Sequence, residues 1–268
     1  MRHVALLGFA VVVGLAASAQ AAVIGTDGFG YGDGSLIDQS GGAGWYYNGE
    51  TQKQGVDGGK SSWNQNWKAD TAQWPQVVGG VVQTQNSTST RDYNSSNATG
   101  AIRASGTVFF GFDMKYANGA SWLALSTYDG GYERFKFGAT DVAGGKFFGL
   151  EVNGSGAPNG WHLTNIAALP DQGYRLVGEI DYTGGGDVQI RMWVNPNSGD
   201  LATPDLVLGY TEHNWQTGIR LGSGGTAPTT WDNVTVGTTF ADIVPEPATM
   251  SLLTAASMGL LAARRRRV

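Results

Sequence analysis

Cysteine is absent from the 268 residues, so the chain has no disulfide, no thiolate metal site and no thiol nucleophile. Histidine occurs only three times. Gly-x-Ser-x-Gly, His-Glu-x-x-His and a phosphate-cradling glycine loop are all missing, which removes the commonest hydrolase, zinc and nucleotide signatures. Charged residues make up just 15% of the chain, too few for a disordered segment held open by self-repulsion. Between the two ends there is no sustained helical period. What is abundant is glycine, 42 residues of it, with aromatic and β-branched residues between. That composition suits many short strands joined by turns.

The two long apolar runs lie at the extremities. Arg2 and His3 precede an apolar segment from Val4 to Ala17, and Ala19-Gln20-Ala21 supplies the small-x-small cleavage pattern of a secretory signal peptide. At the other end, Pro245-Glu246-Pro247 leads into an apolar run from Ala248 to Ala263, closed by Arg264, Arg265, Arg266 and Arg267. The run is about 24 Å long as a helix, against the roughly 30 Å of a bilayer core. Arginines after it act as a stop, so it reads as a short, temporary anchor that brings the chain into contact with the membrane. The expected division is a signal peptide at 1–21, a body at 22–242 and a sorting signal at 243–268.

Without Arg2 and the four tail arginines the exported part keeps 12 basic residues, and without Glu246 it keeps 21 acidic ones, a net charge of about −9. A body this acidic argues against nucleic acid or anionic lipid as a partner. The tail, on Pro245, Glu246, Pro247 and the arginine cluster, resembles the PEP-CTERM sorting signal of exported bacterial proteins, also labelled an ice-binding-protein C-terminal domain. That resemblance implies processing by an exosortase-type membrane protease and delivery to the cell envelope, outer surface or extracellular matrix.

Within the body, Val108, Phe110, Phe112, Met114 and Tyr116 alternate with less apolar neighbours, the two-residue period of a strand with one buried face. Trp122 to Tyr128 and Glu133 to Phe137 flank Asp129-Gly130-Gly131, a hairpin signal. Val77 to Gln83 reads as one strand, and Asn86 to Thr99 as a surface loop. For Tyr174–Tyr182 and Val188–Asn195, matching the inward faces sets Ile180 opposite Ile190, Leu176 opposite Val194, Glu179 opposite Arg191 and Val177 opposite Trp193. Trp231 to Gly237 closes the body. The expected fold is all-β, an antiparallel β-sandwich of jelly-roll type. It is flanked by an N-terminal signal helix and a short C-terminal hydrophobic helix. The strand and turn patterns at Asp129-Gly130-Gly131, Phe148-Gly149-Leu150, Met192 to Pro196, Ile219 to Gly222 and Trp231 to Gly237 resemble laminin-G/concanavalin-like domains. Domains of that kind more often bind or pack than catalyse.

The candidate ligand face carries Glu179, Arg191 and Trp193, and implies an extracellular polysaccharide as partner. Trp63, Trp67 and Trp74 read either as sugar-stacking rings or as lids over one end of the sandwich. Glu179-Ile180-Asp181 resembles part of a laminarinase-like catalytic strand, but Thr183 and Gly184 stand where its second glutamate belongs, and a retaining mechanism needs two carboxyl groups about 5 Å apart. Arg191 is expected to hold Glu179 ionised. His162 and His213 read as exposed and idle. No catalytic or metal residue is assigned and no cofactor is expected. Asp27, Asp33, Asp129 and Asp232 leave calcium open, although aspartate beside glycine is already explained by turn chemistry. The expected function is a non-catalytic polysaccharide-binding surface protein, the alternatives being a glycan-cleaving enzyme or a self-associating coat protein.

Overall fold

The computed structural model describes residues 23–36, 68–69, 75–92, 101–103, 105–129, 132–153, 160–183, 187–211, 216 and 218–244, and of 68, 69, 89–92 and 129 the backbone. The strands are β1 (Val23–Asp27), β2 (Gly34–Ser35), β3 (Lys68–Ala69), β4 (Gln76–Val78), β5 (Val81–Thr84), β6 (Ser87–Asp92), β7 (Thr107–Tyr116) and β8 (Ala120–Asp129). They continue as β9 (Tyr132–Val142), β10 (Gly145–Val152), β11 (Gly160–Ala167), β12 (Tyr174–Asp181), β13 (Val188–Val194), β14 (Leu206–Tyr210), β15 (Gly218–Gly225) and β16 (Thr229–Gly237), followed by the one-turn helix α1 (Phe240–Ile243).

All pairings are antiparallel and build two sheets. A nine-stranded sheet runs β14-β13-β12-β7-β16-β5-β4-β2, with β1 also on β16, and a seven-stranded sheet runs β11-β10-β9-β8-β15-β6-β3. Period-two alternation turns one face of each sheet inward. Phe110 meets Phe137 across the gap at 6.0 Å, Tyr174 meets Phe148 at 4.7 Å and Tyr210 meets Phe135 at 5.2 Å. The expected sandwich is therefore what forms.

The register derived for β12 and β13 is found residue for residue: Leu176↔Val194, Val177↔Trp193, Glu179↔Arg191 and Ile180↔Ile190. The β8–β9 hairpin also forms, Asp129 pairing with Tyr132.

Two local readings need correction. The single strand at Val77–Gln83 is a hairpin, β4 and β5, because Gly79 and Gly80 adopt φ of 60° and 79° and turn the chain back on itself. The loop expected from Asn86 contains β6, an interior strand paired with both β15 and β3. Polar composition misled here because threonine is β-branched and sits readily on the outer face of a strand.

Candidate functional site

The outer face of the nine-stranded sheet, where the sequence put the ligand, is partly closed. Thr239 caps α1, its side chain accepting from the Asp242 amide while the Asp242 carboxylate accepts from the Thr239 amide, a reciprocal capping box. The helix lays Phe240 and Ile243 on Phe109, Val177 and Trp193, making a second apolar cluster outside the sandwich. Trp193 is only 1% exposed, its ring 5.1 Å from Phe240, and its Nε1 donates to the Asp200 carbonyl at 2.9 Å. A ring covered in this way has no face left for a sugar. The sequence reading missed this because α1 is a single turn, too short for a helical period, although Thr239 and Asp242 carry its capping signal.

Beside the cluster, Arg191 donates to Glu179 at 2.8 Å and to Asp181 at 3.2 Å. Both carboxylates share one face, as alternation requires. Contrary to expectation, Glu179 titrates above the ordinary carboxylate value, because its burial outweighs the hydrogen bond and charge of Arg191. Asp181, less buried, moves the other way: its burial pushes it up, but hydrogen bonds from Thr183 and the charge of Arg191 together bring it down.

The two shifts have opposite consequences for stability. A raised value in the folded state means the fold prefers Glu179 protonated, so its contribution is full below the unfolded value of about 4.3 and fades as pH climbs through the raised one. Asp181 contributes above its unfolded value and its share is lost as pH falls. Glu179→Gln is therefore expected to flatten the loss of stability as pH rises above about 4.3. Urea midpoints measured across that range check it, and parallel slopes in the two proteins would refute the assignment.

The remaining expected residues are placed as follows. Asp27 accepts from the Phe29 amide and the Tyr31 hydroxyl and Asp232 from the Asn233 amide, each within its own turn, while Asp33 accepts from the Gly79 amide of the β4–β5 turn. Among the described residues no group of three His, Asp or Glu side chains is arranged to hold a metal ion. His162 is half-buried rather than exposed, and its Nε2 is enclosed without a hydrogen-bond partner. The side chain of Asp129 and all of Ala19, Ala21, Trp63, Trp67, Trp74, His213 and the tail from Pro245 to Val268 lie outside the described residues.

The seven-stranded sheet presents a different outer face. Its register aligns one row across five strands: Arg220 on β15, Ser126 on β8, Lys136 on β9, Glu151 on β10 and Trp161 on β11. The next row is nearly free of side chains, being Gly222, Ala124, Gly138 and Gly149 ahead of Leu163. Beyond it lies Trp122, whose ring extends over Gly222 and Gly224.

In the charged row Lys136 holds Glu151 at 2.5 Å and Glu133 at 3.4 Å, and Glu133 is also bound by Arg220. Their side chains are 15–18% exposed. The Lys136 ammonium lies 5.5 Å from the Trp122 ring, and the Arg220 guanidinium 5.3 Å from the ring of Tyr128. Beneath them the Ser126 hydroxyl is fully buried and makes no hydrogen bond. The cluster holds two carboxylates and two cations, so it is rich in fixed donors and acceptors yet has little net charge. A cavity of about 490 Å³ opens at one end of the sandwich beside Tyr116 and Lys146, but there the lysine is already satisfied by Asp141 and the Ser121 carbonyl.

Residues 244–267 match the PEP-CTERM protein-sorting motif. The chain is thus an exported protein sorted to the cell envelope or extracellular surface. No curated protein matches the chain.

Among solved structures, it is similar to a mutant of the alginate lyase Aly36B in complex with alginate trisaccharide, at 12% identity over 64% of this chain and 87% of that one, TM-score 0.45. An endo-β-1,4-glucuronan lyase from the fungus Trichoderma reesei gives 13% identity, 79% and 98% coverage and a TM-score of 0.42. The CBM2 module of the evolved Dit of Lactobacillus casei BL23 phage J-1 gives 12%, 60%, 76% and 0.39. The expectation of a non-catalytic body is corrected on this finding. It rested on the habits of similar sandwiches and on the missing second carboxylate and nucleophile motifs, and polysaccharide lyases are among the sandwiches that the chain resembles.

Proposed function

We propose that the exported sandwich engages a neutral extracellular polysaccharide across the outer face of its seven-stranded sheet. The observation that carries this reading is the row of half-buried, mutually neutralising charges on Arg220, Lys136, Glu133 and Glu151, set beside a row of small residues and flanked by Trp122 and Trp161. Sugar hydroxyls need fixed donors and acceptors together, and the C–H faces of pyranose rings need aromatic surface. A body carrying about nine net negative charges repels polyanions at long range, so a neutral chain suits it better than a uronate.

The test is retention of the purified protein in affinity gels cast with neutral or uronate polymers. Neutral polymers are expected to retard the protein. Lys136→Ala is expected to weaken retardation about tenfold or more, the value of one charge-assisted hydrogen bond, while Arg191→Ala on the other sheet leaves it unchanged. Retardation by uronate polymers alone, or a Lys136→Ala variant that binds normally, would dismiss the proposal. The same mixtures, read for new reducing or unsaturated ends, show whether bound polymer is also cut.

A further inference from the structure

The last described residue, Val244, is 3% exposed and belongs to the apolar cluster on the nine-stranded sheet. The sorting motif begins at that same residue, so nothing resembling a linker separates body from tail. The junction is held three ways. Val244 N donates to the Phe240 carbonyl at 2.9 Å, and Arg175 Nη2 donates to the Ile243 carbonyl at 2.9 Å while its Nη1 reaches the Asn233 carbonyl and Asp113. Gly111 provides the socket, since a Cβ there would lie 2.1 Å from Ile243 Cγ2.

The position of this junction limits how the body can be oriented. Phe109, Val177 and Trp193, on which it rests, belong to β7, β12 and β13, three adjacent strands within the sheet, so the described chain ends on a face and not at a rim. From Val244 to Ala248, where the apolar run starts, is four residue steps, at most about 14 Å fully extended. The opposite outer face lies behind two layers whose backbones alone are about 10 Å apart. A tether this short, starting from the middle of one face, cannot bring the other face to the surface in which the tail is seated. Around this end, Leu201 and Val207 are 49% and 50% exposed, and Val207 stands opposite Arg191 on this same face.

We infer that, before its tail is removed, the protein lies on the bilayer with the outer face of its nine-stranded sheet against the lipid headgroups. The apolar run 248–263 is seated in the membrane and the charged row of the seven-stranded sheet is directed away from it. The sorting tail thus acts as an orienting device as well as an address, and the polymer-facing surface is presented outward from the moment of export.

The natural absence of cysteine allows single reporters to be placed in the full-length chain. Val207→Cys and Tyr132→Cys, the latter at a 64% exposed position on the other sheet, are labelled with an environment-sensitive fluorophore. The proteins are reconstituted in phosphatidylcholine vesicles carrying a headgroup spin label. Quenching several-fold stronger at 207 than at 132 is expected, and Leu201→Cys should repeat the result at 207. Equal quenching at the two positions, or stronger quenching at 132, would overturn the orientation. Failure of the chain to float with the vesicles would overturn it for a different reason, that the tail does not seat in lipid. Shielding at 207 that appears only with a co-reconstituted processing protease would make the face a protein contact and dismiss the lipid assignment.

Discussion

Replacing Trp231 with alanine is expected to cost the fold about 4 kcal/mol, near the upper end for a fully buried aromatic. Trp231 has no exposed surface and packs on Phe112 at 5.8 Å. Its Nε1 donates to Thr84 Oγ1 at 2.8 Å, and Thr84 exchanges a 2.8 Å hydrogen bond with Ser223. Thr84 lies in the nine-stranded sheet and Ser223 in the seven-stranded one, so the indole anchors a polar stitch between the two layers. Alanine would remove the ring, leave a cavity and free one side of the stitch. With total stability of roughly 5–15 kcal/mol, such a loss is a large share of the whole. In thermal melts it corresponds to a fall of about 8–16 °C for a domain of this size. Trp231→Phe keeps most of the apolar volume and gives up the donor, so about 1–2 kcal/mol is expected. A Trp231→Ala melt within two degrees of the parent, on the order of 1 kcal/mol or less, would show that the two sheets are held elsewhere.

Gly138→Ala is the second large effect, and its sign is unusual. Exchanging glycine for alanine ordinarily stabilises by about 0.4–1 kcal/mol where the backbone allows it, because the unfolded chain loses freedom. At Gly138 the new Cβ would lie 2.0 Å from the Leu123 carbonyl oxygen and 2.6 Å from Ala124 Cα, both backbone atoms of β8. Neither can yield without opening the Ala124↔Gly138 pairing, and overpacking of this kind costs about 1–3 kcal/mol. We expect a loss of roughly 2 kcal/mol, together with weaker polymer retention, since Lys136 and Ser126 lie two residues along the same two strands. Gly199→Ala is the control. There φ is −85° and a Cβ meets nothing within 4 Å, so urea unfolding should show a neutral or slightly stabilised protein. Equal responses at 138 and 199 would contradict the close approach of β8 and β9.

The site was legible in parts. The Glu179–Arg191 pair could be placed opposite each other because a hairpin with two buried faces admits one register, and a slip by one residue would turn Ile180 and Ile190 outward. Whether that pair faces solvent could not be read from it. Four residues at Phe240–Ile243 decide the matter by covering Trp193, and a single turn is too brief to announce itself as a helix. The row Arg220–Ser126–Lys136–Glu151 was invisible for a different reason. Its members come from strands up to 94 residues apart in sequence, and pair only because β15 inserts beside β8.

Sequence alone determined the all-β class, the inward faces of the long strands, the β12–β13 register and the address carried at the C-terminus. Each of these depends on local alternation or on a contiguous motif, and neither needs distant neighbours to be expressed. Only the tertiary structure decided that the outer face of the nine-stranded sheet is partly covered. That covering depends on which strands meet across the sandwich and on where the chain lays its last turn, and both are set by non-local packing that no short window of residues contains.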